Sequence, residues 1–395
     1  MLRPQPRLIV HVIDSLGNVG GAEQQLVEQL RRFSDQQLRH AVVCLYDTAP
    51  GQSRRELLPA GVDLHYLYAG ARPRPTRLRT QQRLNTKIAQ LRPDLIHCSL
   101  PDASLASRIV AWRQSLPLIE TLVNISHERV RTEGNPEVTP LKLALHRLLD
   151  RVTMRSVTRF QAISPAVAQS WRRTVGLKAE KIRVIPRGID TKAFDQIDRA
   201  EARRFIQDDL LLSEKALILL NLGREQPQKG QRFLVEAMSQ IVAVVPEAVL
   251  LIAGSPGLHS QTLRAEVANR GLESAVRFLG RRQDVARLLG ASDVFLFPSL
   301  YEGLGVSLLE AMAAGVAVLT TDRPPMNDVV EHDINGILVP SSDANGLAAA
   351  VVKLARDPDV RQRLGAAARS TVTSRFSIDS TARQVEDLYG ELLGV

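Results

Sequence analysis

The sequence predicts an α/β chain folded as two doubly wound parallel-sheet domains that face a cleft. Length is the first observation. At 395 residues the chain exceeds one ordinary core and suits two domains of roughly 150–200 residues each. The second is alternation: short apolar runs are separated by helical patterns of about 10–15 residues, the signature of parallel strands joined by crossover helices. The third is a single break, the Asp- and Arg-rich stretch Asp190–Asp209, after which the alternation restarts. Doubly wound sheets take ligands at the carboxyl ends of their strands.

In order, the strand-like runs of the first half are Leu8–Asp14, His40–Tyr46, Asp94–Cys98, Leu118–Val123, Phe160–Ile163 and Lys181–Ile185. Those of the second are Ala216–Leu222, Ala248–Ala253, Val276–Leu279, Asp293–Phe297 and Val316–Thr320. The last segment, Ser377–Leu393, is a periodic helix. Periodicity fits packing on its own domain or a return to the first.

Composition is that of a soluble globular protein, with 24% charged and 44% hydrophobic residues. Aromatics are only 4%, which disfavours a stacking platform for single-stranded nucleic acid. Cys44 and Cys98 stand in apolar runs without metal-ligand spacing and read as core residues of a reducing compartment. The N-terminal M-L-R-P-Q-P-R lacks the apolar stretch of a signal peptide. No run approaches the ~20 apolar residues that span a bilayer, so the expected location is cytoplasmic. Charge is uneven: residues 1–190 carry 29 Lys+Arg against 16 Asp+Glu, and residues 191–395 carry 22 against 26. The basic half should face an anionic partner: a phospholipid surface, a diphosphate-linked acceptor or nucleic acid.

Four motifs carry chemistry. Gly17-Asn-Val-Gly-Gly-Ala-Glu23 follows the first strand and opens a helix, where Gly20 and Gly21 let a phosphate or sugar approach the backbone. The same pattern also suits an ordinary strand-to-helix turn. Asn221–Gly230 follows the first strand of the second half and puts Arg224 and Lys229 on one loop, two cations suited to a diphosphate. Tyr301–Glu310 runs from a strand through glycines into a helix. Gly303 and Gly305 offer N–H groups there, and Glu302 and Glu310 add carboxylates that accept hydrogen bonds from hydroxyls. A dipole-stabilising acid near a helix start explains one of these carboxylates but not both. Together they suggest a nucleotide-sugar pocket.

The fourth motif is a basic amphipathic helix, with Lys142, His146, Arg147, Arg151, Arg155 and Arg159 interleaved among leucines. A membrane-surface face and a solvated face of a core helix both fit it. A second basic cluster, Arg72, Arg74, Arg77, Arg79 and Arg83, reads as a loop leading into a helix. His127 follows the strand ending near Val123 and is a candidate for catalysis or sugar binding, although a lone histidine is also a common structural residue.

These motifs resemble family 4 of the retaining glycosyltransferases, the group 1 enzymes of the GT-B fold. The matching pieces are Gly20–Glu23, Ala162–Val167, Lys181–Asp190, Gly223–Gly230, Val276–Gly280, the Glu302…Glu310 segment and Asn335–Pro340. The resemblance implies an acceptor-binding domain over residues 1–190 and a donor-binding domain over 191–376, with helix 377–395 packing back on the first. It implies that Arg224 and Lys229 hold the donor diphosphate. Glu302, Gly303, Leu304 and Gly305 would bind the donor sugar, and Glu310 the ribose. Arg281 and Arg282 would meet the base, and Gly20 and Gly21 would border diphosphate and acceptor. The catalytic set is then Glu302, Arg224, Lys229 and His127. Here the chain departs from the family pattern: Val123 stands where a histidine is usual, and His127 comes four residues later.

The implied activity is transfer of a sugar from a UDP- or GDP-sugar to an acceptor hydroxyl with retention, in cell-surface polysaccharide or glycolipid synthesis. It needs no metal and no further cofactor. The implied partners are the donor and a glycan or lipid-linked acceptor, with peripheral contact at an anionic inner membrane face and no nucleic acid. A sugar-nucleotide epimerase or phosphorylase of the same fold is the alternative enzyme. A basic membrane or nucleic-acid binder is the non-enzymatic one.

Overall fold

The computed structural model describes residues 6–16, 21–47, 55–68, 76–128 and 139–395. The chain divides into two compact units. Among the described residues, one falls within Met1–Glu128, Pro140–Gly188 and Ile378–Val395, and the other is essentially Ile189–Ser377.

The first unit holds a seven-stranded sheet. Its strands are β1 (Arg7–Ile13), β2 (Leu38–Cys44), β3 (Asp63–Tyr66), β4 (Leu95–Ser99), β5 (Leu118–Leu122), β6 (Arg159–Ala162) and β7 (Ile182–Val184). All neighbours are parallel in the order β3-β2-β1-β4-β5-β6-β7. The winding reverses between β1 and β4, which is the switch point of the sheet. The crossover helices are α1 (Gly21–Arg32), α2 (Arg77–Leu91), α3 (Pro101–Gln114), α4 (Pro140–Thr153) and α5 (Pro165–Val175). Their ends follow local chemistry: the Ser164 side chain accepts the Val167 N–H, Pro165 takes the first helical position, and Gly176 closes α5 at φ +75°.

The second unit holds β8 (Leu217–Leu222), β9 (Ala248–Ala253), β10 (Val276–Gly280), β11 (Val294–Phe297), β12 (Ala317–Thr321) and β13 (Ile337–Val339). They form a parallel sheet in the order β10-β9-β8-β11-β12-β13, so its switch point lies between β8 and β11. Its helices are α6 (Arg199–Leu210), α7 (Gln231–Val244), α8 (Ser260–Asn269), α9 (Val285–Ala291), α10 (Val306–Ala313), α11 (Met326–Val329), α12 (Ala344–Arg356) and α13 (Pro358–Arg375). β8 and β11 are buried along their whole length, as expected of central strands covered on both faces.

Three elements escaped the sequence pattern. β3 and β13 are edge strands of four and three residues, too short to make a run. The polar stretch Asp190–Asp209 contains α6, capped by the Asp198 side chain. Its inner face is little more than Ala202 and Ile206, so charged residues dilute its period.

The C-terminal helix α14 (Ile378–Leu393) belongs to the first unit. Its Val385, Leu388 and Tyr389 share one core with Ile9, Leu38, Leu95, Ile119 and Ile185. Tyr389 Oη lies 2.6 Å from His97 Nδ1, and His97 Nε2 lies 2.7 Å from Thr121 Oγ1. His11 Nε2 meets His40 Nδ1 at 3.1 Å. Burial lowers the pKa of all three histidines, that of His40 to about 4 and that of His97 to about 3. They are therefore neutral inside the fold at physiological pH. Glu386 accepts the backbone N–H groups of Ser34 and Asp35 at 2.7 and 2.8 Å, fixing α14 beyond the end of α1.

Candidate active site

The second sheet's switch point is built from two loops, one after β8 and one after β11. β8 ends at Leu222, and the chain then passes through Gly223 and Arg224 into a single turn, Pro227–Lys229. Gly230 follows at φ +65°, where a Cβ would stand 2.1 Å from the Pro298 carbonyl oxygen. Only glycine permits both that dihedral and that approach. The loops are laced together: Leu300 N–H donates to Gln228 O at 2.8 Å, and Gln228 Nε2 donates to Tyr301 O at 2.9 Å.

Buried side chains fix the backbone beneath them. Asn221 Nδ2 donates to Leu296 O at 2.8 Å, and Gln231 Nε2 donates to Asn221 Oδ1 at 3.0 Å and to Gly223 O at 3.2 Å. From β12, Thr320 Oγ1 donates to Phe297 O and Thr321 Oγ1 to Ser299 O, both at 2.8 Å. Arg323 donates to Leu300 O at 3.2 Å. Carbonyls at the end of β11 that would otherwise lack donors are thus satisfied, which holds the loop in one geometry.

This frame brings Lys229 Nζ to 2.6 Å from Glu302 Oε1, with the two side chains 20% and 10% exposed. The ammonium also lies 5.5 Å from the centroid of the Phe297 ring. Arg224, on the same loop, is exposed, and no described residue pairs with its guanidinium. Gly305 caps α10 at φ +83°, and Ser307 in its first turn donates to Leu222 O at 3.1 Å. Glu310, further along α10, is partly buried, and burial alone raises its carboxyl pKa to about 7. No described residue supplies it with a donor. The arrangement is a cationic loop, a helix N-terminus and two carboxylates, one paired and one waiting for a donor.

Residues 19–193 match the family model described as Glycosyltransferase Family 4, and residues 202–371 the model described as Glycosyl transferases group 1. The chain belongs to the family 4, group 1 glycosyltransferases.

Among curated relatives of this glycosyltransferase is the Escherichia coli UDP-Gal:alpha-D-GlcNAc-diphosphoundecaprenol alpha-1,3-galactosyltransferase. It is 24% identical over 304 residues, 76% of each chain. A D-inositol 3-phosphate glycosyltransferase of Kribbella flavida is 26% identical over 372 residues, covering 89% of this chain and 86% of the relative. Among solved structures, Anabaena HepE in complex with UDP and glucose superposes with a TM-score of 0.79 at 22% identity, covering 97% of this chain and 99% of that one. With the two parallel sheets, this likeness gives the glycosyltransferase the GT-B fold.

Of the residues singled out in the sequence, Arg224, Lys229, Glu302, Gly303, Leu304, Gly305 and Glu310 gather on the two loops and α10. Leu304 is buried and supports the loop from within. Arg281, after β10, is exposed. Its neighbour Arg282 is committed elsewhere: its guanidinium makes a paired contact with Asp284 at 2.7 and 2.8 Å and a third with Asp209 at 2.9 Å. In the first unit Gly21 is the exposed first residue of α1. Gly20, Arg72 and Arg74 lie outside the described residues.

The structure seals His127 inside the first unit. The residue is 2% exposed, its ring stands edge-on to Trp171 at 4.8 Å, and Nε2 lies 2.9 Å from Asp150 Oδ2. Asp150 is shared with Arg108, which grips Glu120 through two bonds of 2.7 Å. Burial pushes the Asp150 carboxyl up, but His127 and Arg108 more than offset it and hold it below the usual range. This charge network ties α3, β5 and α4 together and keeps the imidazole buried, with Nδ1 finding no partner among the described residues.

Sequence reasoning passed over Glu225, which is fully buried and held by Arg264 at 2.6 Å. Its carbonyl oxygen accepts the His259 N–H. It also passed over the Asn221–Gln231 contact. A signal existed in both cases, since Asn221 is a polar residue in an otherwise apolar strand and Glu225 is an acid between two loop cations.

Proposed function

We propose that this glycosyltransferase moves a sugar, with retention of configuration, from a UDP- or GDP-type donor to a hydroxyl of a glycan or lipid-linked acceptor. The observation that carries the reading is the Lys229–Glu302 contact of 2.6 Å beside an exposed Arg224 that no described residue pairs. A diphosphate between the two cations is met by charge-assisted hydrogen bonds. Lys229 has three N–H donors, so it can serve phosphate oxygen and Glu302 together. Glu302 is thereby aimed at hydroxyls of the sugar next to that phosphate, and Glu310 at those of the ribose. HepE, with UDP and glucose bound, supports a donor of this class. The E. coli relative, named for a diphosphoundecaprenol-linked sugar acceptor, supports a lipid-linked acceptor.

In the mechanism, charge builds on the leaving diphosphate as the glycosidic bond breaks. Arg224, Lys229 and the N–H groups at the start of α10 stabilise that charge in place, with no reorganisation cost at the moment of reaction. The sugar acquires oxocarbenium character, as in other glycosyl chemistry. As the family resemblance implies, attack comes from the face the diphosphate leaves, and a phosphate oxygen takes the acceptor proton. His127 has a structural part in this scheme.

The test is a thermal-shift panel of UDP, GDP and ADP on the wild type and Arg224→Ala. One diphosphate should raise the melting temperature. Arg224→Ala should weaken that ligand about 10–100-fold, in line with a lost charge-assisted contact, while leaving the ligand-free melt unchanged. A panel in which no nucleoside diphosphate shifts the melt sinks the donor assignment. Turnover of donor without any acceptor would favour an epimerase.

A further inference from the structure

The first unit holds a small polar cavity between α1 and the carboxyl ends of the sheet strands. Its floor is a row of polar side chains, where a sheet covered on both faces ordinarily carries apolar ones. His11 stands opposite His97 in register, and Thr121 opposite Gln161. Hydrogen bonds join the row and run one way. The Thr121 hydroxyl donates to Gln161 Oε1 at 3.4 Å, and Gln161 Nε2 donates to Ile185 O at 3.3 Å. His97 is neutral and has a single N–H. Because Thr121 gives its proton to Gln161, that N–H is on Nε2 and donates to Thr121, and Nδ1 accepts from the Tyr389 hydroxyl. The hydroxyl and imidazole protons are thus committed, while Thr121 Oγ1 and Gln161 Oε1 each keep a lone pair.

The opposite wall has the converse need. Gln25 and Gln29, four residues apart on α1, both line the cavity. Their amide nitrogens are buried with no partner among the described residues, and Gln29 is only 5% exposed. A buried amide without a partner is costly, so it marks a place for one. Donors on one side and lone pairs on the other suit a group that both accepts and donates, which is a hydroxyl. Size narrows the choice. The cavity offers about 30 Å³, and a water needs roughly 10–15 Å³ of such space. Two heavy atoms therefore fit, a CH2–OH arm rather than a ring. Charge narrows it further, because an ion buried here would have no counter-charge. His11 and His97 are neutral, and Arg187, the one charged residue of the lining, is not free. Ser99, Val123 and Arg187 lie at or beyond the strand ends and are half-buried, so they form the mouth.

We propose that this cavity is a subsite for the primary hydroxyl arm of an uncharged sugar acceptor. Gln25 and Gln29 donate to the hydroxyl oxygen, and Thr121 or Gln161 accepts from its proton. The ring of that sugar stays at the mouth, at the strand ends where doubly wound sheets take ligands. This deepens the reading of a glycan acceptor and rests on it for its purpose, though not for its geometry.

The experiment is saturation-transfer NMR on the full-length protein with methyl hexopyranosides of gluco, galacto and manno configuration and with their 6-deoxy analogues. At least one hexoside should receive saturation, most strongly at its C6 protons. Its 6-deoxy analogue should bind about tenfold more weakly, because the amides lose their acceptor. Gln29→Leu should remove that preference, since leucine fills the same space without a donor. If that variant fails to fold, Gln25→Leu should act in the same direction. No saturation of any hexoside overturns the proposal, as does equal binding of each hexoside and its analogue, which would leave the cavity to water. A preference that survives both variants overturns it too. A C6 signal that UDP-glucose or GDP-mannose displaces assigns the cavity to the donor sugar and also overturns it. The thermal shift with nucleoside diphosphate is a separate readout. Its failure would remove the donor reading and leave the hexoside result standing.

Discussion

Replacing Lys229 with methionine keeps the length of the stem and removes the charge that faces Glu302. The carboxylate then stays on a loop where its side chain is 10% exposed, without the ammonium that stood at 2.6 Å. Breaking a fully buried ion pair by removing one partner costs about 3–5 kcal/mol, whereas an exposed pair contributes under about 1 kcal/mol. Exposures of 20% and 10% place Lys229→Met between these limits, at about 2 kcal/mol. Glu302→Gln should cost about 1 kcal/mol, because the freed ammonium can reach water. The double variant Lys229→Met/Glu302→Gln should recover most of the loss, giving a coupling energy of about 1.5–2 kcal/mol. For a unit of this size, Lys229→Met corresponds to a fall in Tm of roughly 4–8 °C. Both tryptophans, Trp112 and Trp171, lie in the first unit, so the second unit is followed by calorimetry or far-UV dichroism. Strictly additive losses, or a Lys229→Met loss below about 0.5 kcal/mol, would refute the idea that the pair is a coupled, desolvated element of the site.

Two pH effects follow from burial. The folded-state pKa of Glu310 is raised to about 7 from an ordinary 4.5, so its contribution to stability is lost as pH rises from 4.5 through 7. Glu310→Gln should therefore raise stability at pH 8 by about 2–3 kcal/mol, seen as a higher Tm. The same change should remove a rise in nucleotide-sugar affinity through pH 7, because only the carboxylate accepts fully from ribose hydroxyls. A Gln variant no more stable than wild type at pH 8 would contradict a partly buried carboxyl that no described residue supplies with a donor. For His40 and His97 the folded pKa values are depressed, to about 4 and about 3 from 6.5. The unfolded chain thus takes up protons that the fold refuses, and stability is lost as pH falls below 6.5. At pH 5 each costs about 2 kcal/mol relative to pH 8, measured by urea unfolding of the first unit through Trp emission. A pH-independent midpoint would refute neutral burial. Tyr389→Phe, which leaves a nitrogen of His97 unpaired, should cost a further ~1–2 kcal/mol.

Much of the fold was legible because its signals are local. Val294–Phe297 and Leu217–Leu222 are unbroken apolar runs between turn residues, and a parallel strand buried on both faces requires that pattern. Gly230 and Gly305 marked the loop ends because those backbones need positive φ. The two loops of the candidate site were legible for the same reason, since strand, glycine turn and helix start are contiguous. β3, β13 and α6 were not, being too short or too polar to impose a period. His127 illustrates a different failure. Its position after β5 is that of a ligand-binding residue, and nothing within several residues of it announces that Asp150, 23 positions on, takes the ring inward.

The sequence by itself determined two parallel-sheet halves, the class of the enzyme and the loops that carry its polar residues. Strand, turn and helix preferences act over a few bonds and are written in residue spacing. Only the tertiary structure decided which charges meet. Lys229 and Glu302 are 73 residues apart and touch because β8 and β11 are sheet neighbours. Arg282 is spoken for by Asp209 and Asp284 while Arg281 is exposed, although the two adjoin in the chain. The rotation of α4 was also settled there: its buried charges found partners inside, and so its leucines were left facing out. A pairing energy depends on distance and desolvation, and both are properties of the packed fold rather than of the order of residues.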